Sequence, residues 1–111
     1  MTEMPLAYGY MRAPDDADDK EIERIEQQLY DYAALADLEM VGVYCEQSDV
    51  LAPHRFVEVL ERESIRHVIV PSLPQISDHP AIQVVIVQLI QFSAGARLHD
   101  ASRFMEQDDE A

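Results

Sequence analysis

At 111 residues the chain suits one domain, with room for a core but not for a second domain beside it. Hydrophobic residues make up 48%, which excludes a disordered chain, and 22 acidic against 8 basic residues give a formal net charge of -14. Nucleic-acid affinity depends on Lys and Arg displacing counterions, so direct nucleic-acid binding is not expected of such a surface; solubility, a basic protein partner or nucleic-acid mimicry is.

The single cysteine, Cys45, excludes an internal disulfide and fits a reducing compartment. The opening Met1-Thr2-Glu3-Met4-Pro5 lacks the basic and apolar regions of a signal peptide. The most apolar stretch, Ala81 to Ala96, is too short for a bilayer and holds three glutamines. The expectation is a soluble cytoplasmic protein without membrane contact, with an α/β domain over residues 1–100 and an acidic tail over 101–111.

Leu6 to Met11, with two tyrosines, reads as a first strand. An acidic loop follows, Asp15-Asp16-Ala17-Asp18-Asp19, in which Asp18 with Glu21 three residues on forms a helix N-terminal signature. Ile22, Ile25, Leu29, Tyr32 and Ala36 then step by 3, 4, 3 and 4, one apolar stripe of a helix. Glu39 to Cys45 reads as a second strand. Phe56, Val59 and Leu60 mark a second helix that Pro53 helps to start, and Arg66 to Val70 a β-branched third strand buried on both faces. Pro71 to Pro80 reads as a loop, His79-Pro80 as the opening of a third helix with Pro near its first turn, and Arg97 to Asp100 as a fourth strand. Strands alternating with helices predict a three-layer α/β fold, with a mostly parallel sheet of four to five strands and helices on both faces. In such folds ligands sit at the carboxyl ends of the strands, here residues 12–19, 46–54, 71–79 and the region after His99.

Few residues in those loops carry a recognisable chemistry. The acidic loop resembles the carboxylate cluster of a phospho-acceptor receiver domain, but the third strand ends in Val70-Pro71-Ser72 with no Asp, and the last strand has no Lys. A solvated helix start accounts for the loop better than a metal site does. The four histidines, 54, 67, 79 and 99, lack metal-ligand spacing; His54 and His79 share the carboxyl edge and read as ordinary loop or capping residues. Gly9, Gly42 and Gly95 form no phosphate-cradling loop, and no nucleophile elbow is present. Cys45, at the end of an apolar strand, reads as a packed small residue. No cofactor or metal is expected.

The third helix stands out: from Ala81 through Ala96 no residue is charged, in a chain that is 27% charged. Ile82, Val85, Ile86, Leu89 and Phe92 fall on one arc, the expected core face. Val84, Val87 and Ile90 lie opposite, interleaved with Gln83, Gln88 and Gln91. A face of Val, Ile and Gln without charge predicts a partner-covered surface, or a helix enclosed by its own domain.

The ordered set of elements resembles the N-terminal catalytic domain of serine recombinases, the resolvase/invertase family, over about residues 6 to 100. Gly9-Tyr10-Met11-Arg12-Ala13-Pro14 is similar to that family's opening Tyr-x-Arg-Val-Ser motif. Ile22 to Tyr44 follows its first helix and second strand, and Val68 to Ser77 its third strand and the start of its Leu-Asp-Arg-Leu-x-Arg motif. Family members attack a DNA phosphodiester with a serine while arginines balance the charge on phosphate. Here the resemblance places the nucleophile position on Pro14, which has no hydroxyl. It puts the Asp-Arg pair on Pro74-Gln75, the next arginine on Asp78, the first-helix glutamine on Ile25 and the acid after the second strand on Glu46. The mid-domain arginine falls near Pro53 and Arg55. Arg12 matches the family's first active-site arginine and is retained.

These departures imply a degenerate, non-enzymatic member. Three roles are open to it: protein interaction, first of all self-association as a homodimer through Val84, Val87 and Ile90 with Gln83, Gln88 and Gln91; an acidic decoy for a basic DNA-binding protein; or a module binding a small phosphorylated ligand through Arg12. Arg12 is equally suited to an ion pair with Glu46 or Asp49.

Overall fold

The structure, a computed structural model, describes residues 4–13, 18–47, 53–72, 80–93 and 95–102. Four strands, β1 (Leu6–Ala13), β2 (Glu39–Gln47), β3 (His67–Val70) and β4 (Arg97–Asp100), pair in parallel in the order β2-β1-β3-β4. Between them run α1 (Asp19–Leu35), α2 (Pro53–Glu63) and α3 (Pro80–Gln88), the last continuing into a π-helical turn, Leu89–Ser93. Because the chain steps outward from β1 to β2 and then back past β1 to β3, right-handed crossovers put α1 on one face and α2 with α3 on the other. This is the three-layer parallel architecture expected, with four strands.

Side-chain alternation along β1 sorts the two cores. Ala7 and Gly9 face α1, and their small size lets the helix settle close: a Cβ at Gly9 would lie 3.0 Å from both Leu29 Cδ1 and Met40 Cε. Leu29, Ala33, Leu38 and Ile69 complete that layer, which also takes in Ala101, so the packed chain runs past Asp100 into the segment read as tail. The other face carries Tyr8 and Tyr10, which meet Phe56 of α2. The Phe56 ring centre is 4.7 Å from Tyr10, 5.2 Å from Tyr44 and 5.8 Å from Tyr8, within the range of favourable aromatic pairing. Leu60, Ile65, Val68, Val70, Ile86 and Ile90 enclose this cluster.

The helix ends follow local rules, not all of them visible in the sequence. Asp18 caps α1 as expected, its carboxylate accepting from the Glu21 N–H at 2.8 Å. At the C-termini, Asp37 (φ 59) and Ser64 (φ 56) adopt the left-handed conformation usually filled by glycine. The following residues, Leu38 and Ile65, are buried and donate their N–H groups to Ala33 O (2.8 Å) and Leu60 O (2.9 Å). After α3, Gly95 takes this role (φ 65), and Ala96 N reaches Ile90 O at 3.2 Å. That bond spans one residue more than the bonds closing α1 and α2, consistent with the π turn before it.

Phe56 is the shared contact of three tyrosines, so Phe56→Ala should remove about 3–5 kcal/mol of stability. Urea denaturation followed by circular dichroism measures it. A loss well under 1 kcal/mol would mean that the aromatic cluster does not hold α2 to the sheet.

Candidate functional site

The strand order reverses beside β1, so the crevice at its carboxyl end is where this architecture builds ligand sites. Arg12 lies there, near the end of β1, in direct register with Glu46 on β2. Parallel neighbours in register put their side chains on the same face, and Arg12 Nη1 donates to Glu46 Oε2 at 2.9 Å. The same nitrogen donates to the Tyr10 hydroxyl, two residues back on the same face, at 3.3 Å. Both members of the ion pair are buried. Burial, then the Glu46 carboxylate, pushes the Tyr10 hydroxyl up to about 12, with Arg12 pulling the other way. Tyr10 therefore stays protonated throughout the neutral range. The second carboxylate oxygen, Glu46 Oε1, is buried and has no hydrogen-bond partner among the described residues. Of the two acids offered by the sequence as partners of Arg12, the pairing described is with Glu46; Asp49 lies outside the described residues.

Pro14, Pro74, Gln75, Asp78 and His79 also lie outside them, as do most of the acidic loop and the side chain of His54. Arg55 is exposed on the first turn of α2. Ile25, at the position of the resembled family's first-helix glutamine, is a core residue of α1. Cys45 is exposed on edge strand β2, which corrects its expected packing: an edge strand has no neighbour on its outer side to cover it. The thiol is only partly screened from water, yet that desolvation and then Glu26 raise its pKa, which favours the thiol over the thiolate.

The opposite face of the sheet holds a cluster that sequence spacing did not disclose. His67 and His99 are 32 positions apart, yet adjacent strands bring His67 Nδ1 within 3.0 Å of His99 Nε2. The other ring nitrogen of His99 lies 3.0 Å from the Tyr32 hydroxyl of α1. A hydrogen bond between two imidazoles needs one ring nitrogen to accept, so the pair cannot be doubly protonated and remain bonded. Burial depresses both histidines, His67 further through Arg97, His99 further through His67 and then Arg97. Tyr32 is raised by burial and by Asp100, against Arg97. Among the described residues no three His, Cys, Asp or Glu side chains are placed to hold a metal, and no helix is long and apolar enough to cross a membrane.

The uncharged helix has a different phase from the one expected. Ile90 is not on an outer face: it is 1% exposed and packs with Ile86 in the core. Conversely Val85 and Phe92, expected inside, are 53% and 80% exposed. Val84 is on the surface at 54%, with Gln88 and Gln91; Gln83 and Val87 are half-buried. The reason is that α3 carries apolar residues around its whole circumference, so periodicity selects no unique core face. Packing on β3 and α2 chooses the Ile86–Ile90 side, and the π turn carries Phe92 outward. The surface left open is Val84, Val85, Gln88, Gln91 and Phe92.

Two outcomes test these arrangements. Arg12→Met strands a buried carboxylate and should cost about 3–5 kcal/mol, most of it recovered in Arg12→Met/Glu46→Met, because the loss is the orphaned charge. Equal losses in the single and double variants, by urea denaturation, would contradict an ion pair of that kind. For His67 and His99 the folded pKa values lie below the unfolded one, so the unfolded state takes up protons first. Their contribution is complete above about pH 6.5 and is lost as pH falls through the folded values. His99→Gln should therefore flatten the fall of the urea midpoint between about pH 7 and pH 5; unchanged slopes would exclude the pair as an acid-sensitive contact.

No family model matches the sequence, and no match to it is found among curated proteins. Solved structures do match. The C-terminal catalytic domain of ISC1926 TnpA, an IS607-like serine recombinase, superposes with a TM-score of 0.69 at 16% identity, covering 93% of this chain and 77% of that one. A resolvase family site-specific recombinase from Streptococcus pneumoniae matches with a TM-score of 0.69 at 17% identity, over 96% of this chain and 89% of the other. The N-terminal catalytic domain of TP901-1 integrase gives 0.66 at 17% identity, over 88% and 78%. Likeness across nearly the whole chain, together with the parallel order β2-β1-β3-β4, gives the protein the resolvase-like α/β fold of serine recombinase catalytic domains.

Proposed function

We propose that this chain is a non-catalytic resolvase-like module that works through protein contacts, pairing with a second copy of itself through the uncharged surface of α3. The observation that carries the reading is the exposure of Val84, Val85 and Phe92 on a helix without a single charge, in a chain of net charge -14. Two such molecules repel over most of their surfaces. An uncharged apolar strip is where they approach without bringing carboxylates together.

The absence of catalysis is argued from chemistry at the carboxyl edge. Pro14 stands where the resembled family has its nucleophilic serine and offers no oxygen to attack phosphorus. Arg12, the retained arginine, is engaged by Glu46 at 2.9 Å, so a phosphate ligand would have to displace a carboxylate from it. The same pairing weakens the reading of Arg12 as the anchor of a phosphorylated ligand. A second reading, an acidic decoy for a basic DNA-binding protein, rests on the net charge alone.

Sedimentation equilibrium separates the two. Pairing through an uncharged strip should tighten as added salt screens the mutual repulsion, whereas decoy binding should weaken. Val84→Glu and Gln88→Glu, both at exposed positions, should each raise the dimer dissociation constant about tenfold without moving the urea midpoint. A wild-type chain that stays monomeric at every concentration and salt level refutes the self-association reading.

A further inference from the structure

Strand β4 has four residues, lies at the edge of the sheet and pairs on one side only, with β3. Its share in the two cores is small: Ala96 before it, half-buried Leu98 within it and Ala101 after it. One side chain ties it to both of its neighbours. His99 Nε2 is bonded to His67 Nδ1 of β3, and His99 Nδ1 to the Tyr32 hydroxyl of α1, each at 3.0 Å. We infer that β4 is an acid-released latch: when His67 and His99 are both protonated, this strand leaves β3 together with Ala101 and Ser102, while β2, β1 and β3 stay paired.

The geometry sets the direction. A second proton on the imidazole pair removes its last accepting nitrogen, while the Tyr32 hydroxyl can still accept from His99. The bond that fails is therefore the one across the ladder, between β3 and β4. Repulsion replaces it. Register sets Arg97 beside His67, and strand alternation puts His99 on the same face, so three positive charges then crowd one end of the sheet. Little opposes them. From β1 the residue in register with His67 is Ala7, and from α1 the facing titratable group is Tyr32, whose raised pKa keeps it neutral. Among the described residues, the carboxylate that acts on the cluster is Asp100, through Tyr32, and its Oδ1 already accepts from Ser102 N–H at 2.9 Å and Ser102 Oγ at 2.6 Å. Partial burial and Arg97 hold both histidines below their ordinary value while the strand is docked. A released strand returns them to water, where they bind protons more readily, so release is favoured as pH falls below about 6.5. The remaining strands are held differently. Val68, Ile69 and Val70 of β3 are fully buried, and β3 keeps its pairing with β1.

Amide hydrogen exchange of the full chain, followed by NMR at pH 7 and pH 5 and corrected for intrinsic rates, tests the latch. The Arg97 amide, bonded to Arg66 O at 2.8 Å, reports on β4. The Glu39 amide, bonded to Pro5 O at 2.9 Å, reports on the rest of the sheet. Between pH 7 and pH 5 the protection of Arg97 should fall about tenfold or more, and that of Glu39 less than about threefold. In His99→Gln, which bonds without titrating, the fall at Arg97 should shrink to under about threefold. Equal falls at both amides would make the histidine pair a contact of the whole fold and overturn the latch. No fall at Arg97, or an undiminished fall in His99→Gln, overturns it as well. If His99→Gln already exposes β4 at pH 7, Arg97→Gln decides. It leaves the pair in place and removes the third positive charge, so the fall should drop to under about fivefold; an unchanged fall refutes the proposal.

Discussion

A parallel strand flanked on both sides by other strands has no wet face when helices return above and below it, and β1 and β3 carry that condition for this chain. Ala7, Tyr10, Met11, Val68, Ile69 and Val70 are all fully buried. Every helix is placed by the need to cover one side of these two strands. The small residues of β1 draw α1 close on one face, and its tyrosines on the other leave room for Phe56 of α2. Arg12 is the exception on β1, a charge on an otherwise buried strand. Its burial is tolerable because the parallel register sets Glu46 directly beside it. The ion pair is thus a consequence of the sheet's register.

How far the sequence disclosed this depends on how local each determinant is. The α1 stripe and its Asp18 cap are encoded within a few residues and were legible, as were the four strands and their parallel arrangement. Glu46 as a partner for Arg12 was legible as one of two acids at the end of β2. The core face of α3 was not, because Val and Ile surround that helix and only contact with α2 and β3 chooses between them. The left-handed C-cap residues Asp37 and Ser64 were hidden for a similar reason: no glycine marks them, and buried Leu38 and Ile65 hold the turns instead. The chain from Tyr32 through His99 to His67 joins three elements distant in sequence, and only strand order brings it together.

The surface divides along the same lines as the fold. Acidic residues crowd α1, where Asp19, Glu21, Glu23, Glu26 and Asp31 keep that face well hydrated. α3 itself carries no charge and its apolar side chains meet solvent directly, while α2, on the same face of the sheet, exposes Glu58, Glu61 and Glu63. The uncharged surface is therefore local to α3, an apolar strip beside charged neighbours.

The π turn at Leu89–Ser93 has a consequence for how those surfaces relate. A π turn is an α-helix carrying one extra residue, accommodated locally while the flanking backbone keeps its place. It acts as a phase shifter: Ile86 and Ile90 stay locked to the sheet and β4 keeps its register on β3, while Phe92 is turned through part of a revolution relative to the helix before it. The helix thus ends in a wider turn in which Ile90 remains in the core while Phe92, two residues on, meets solvent.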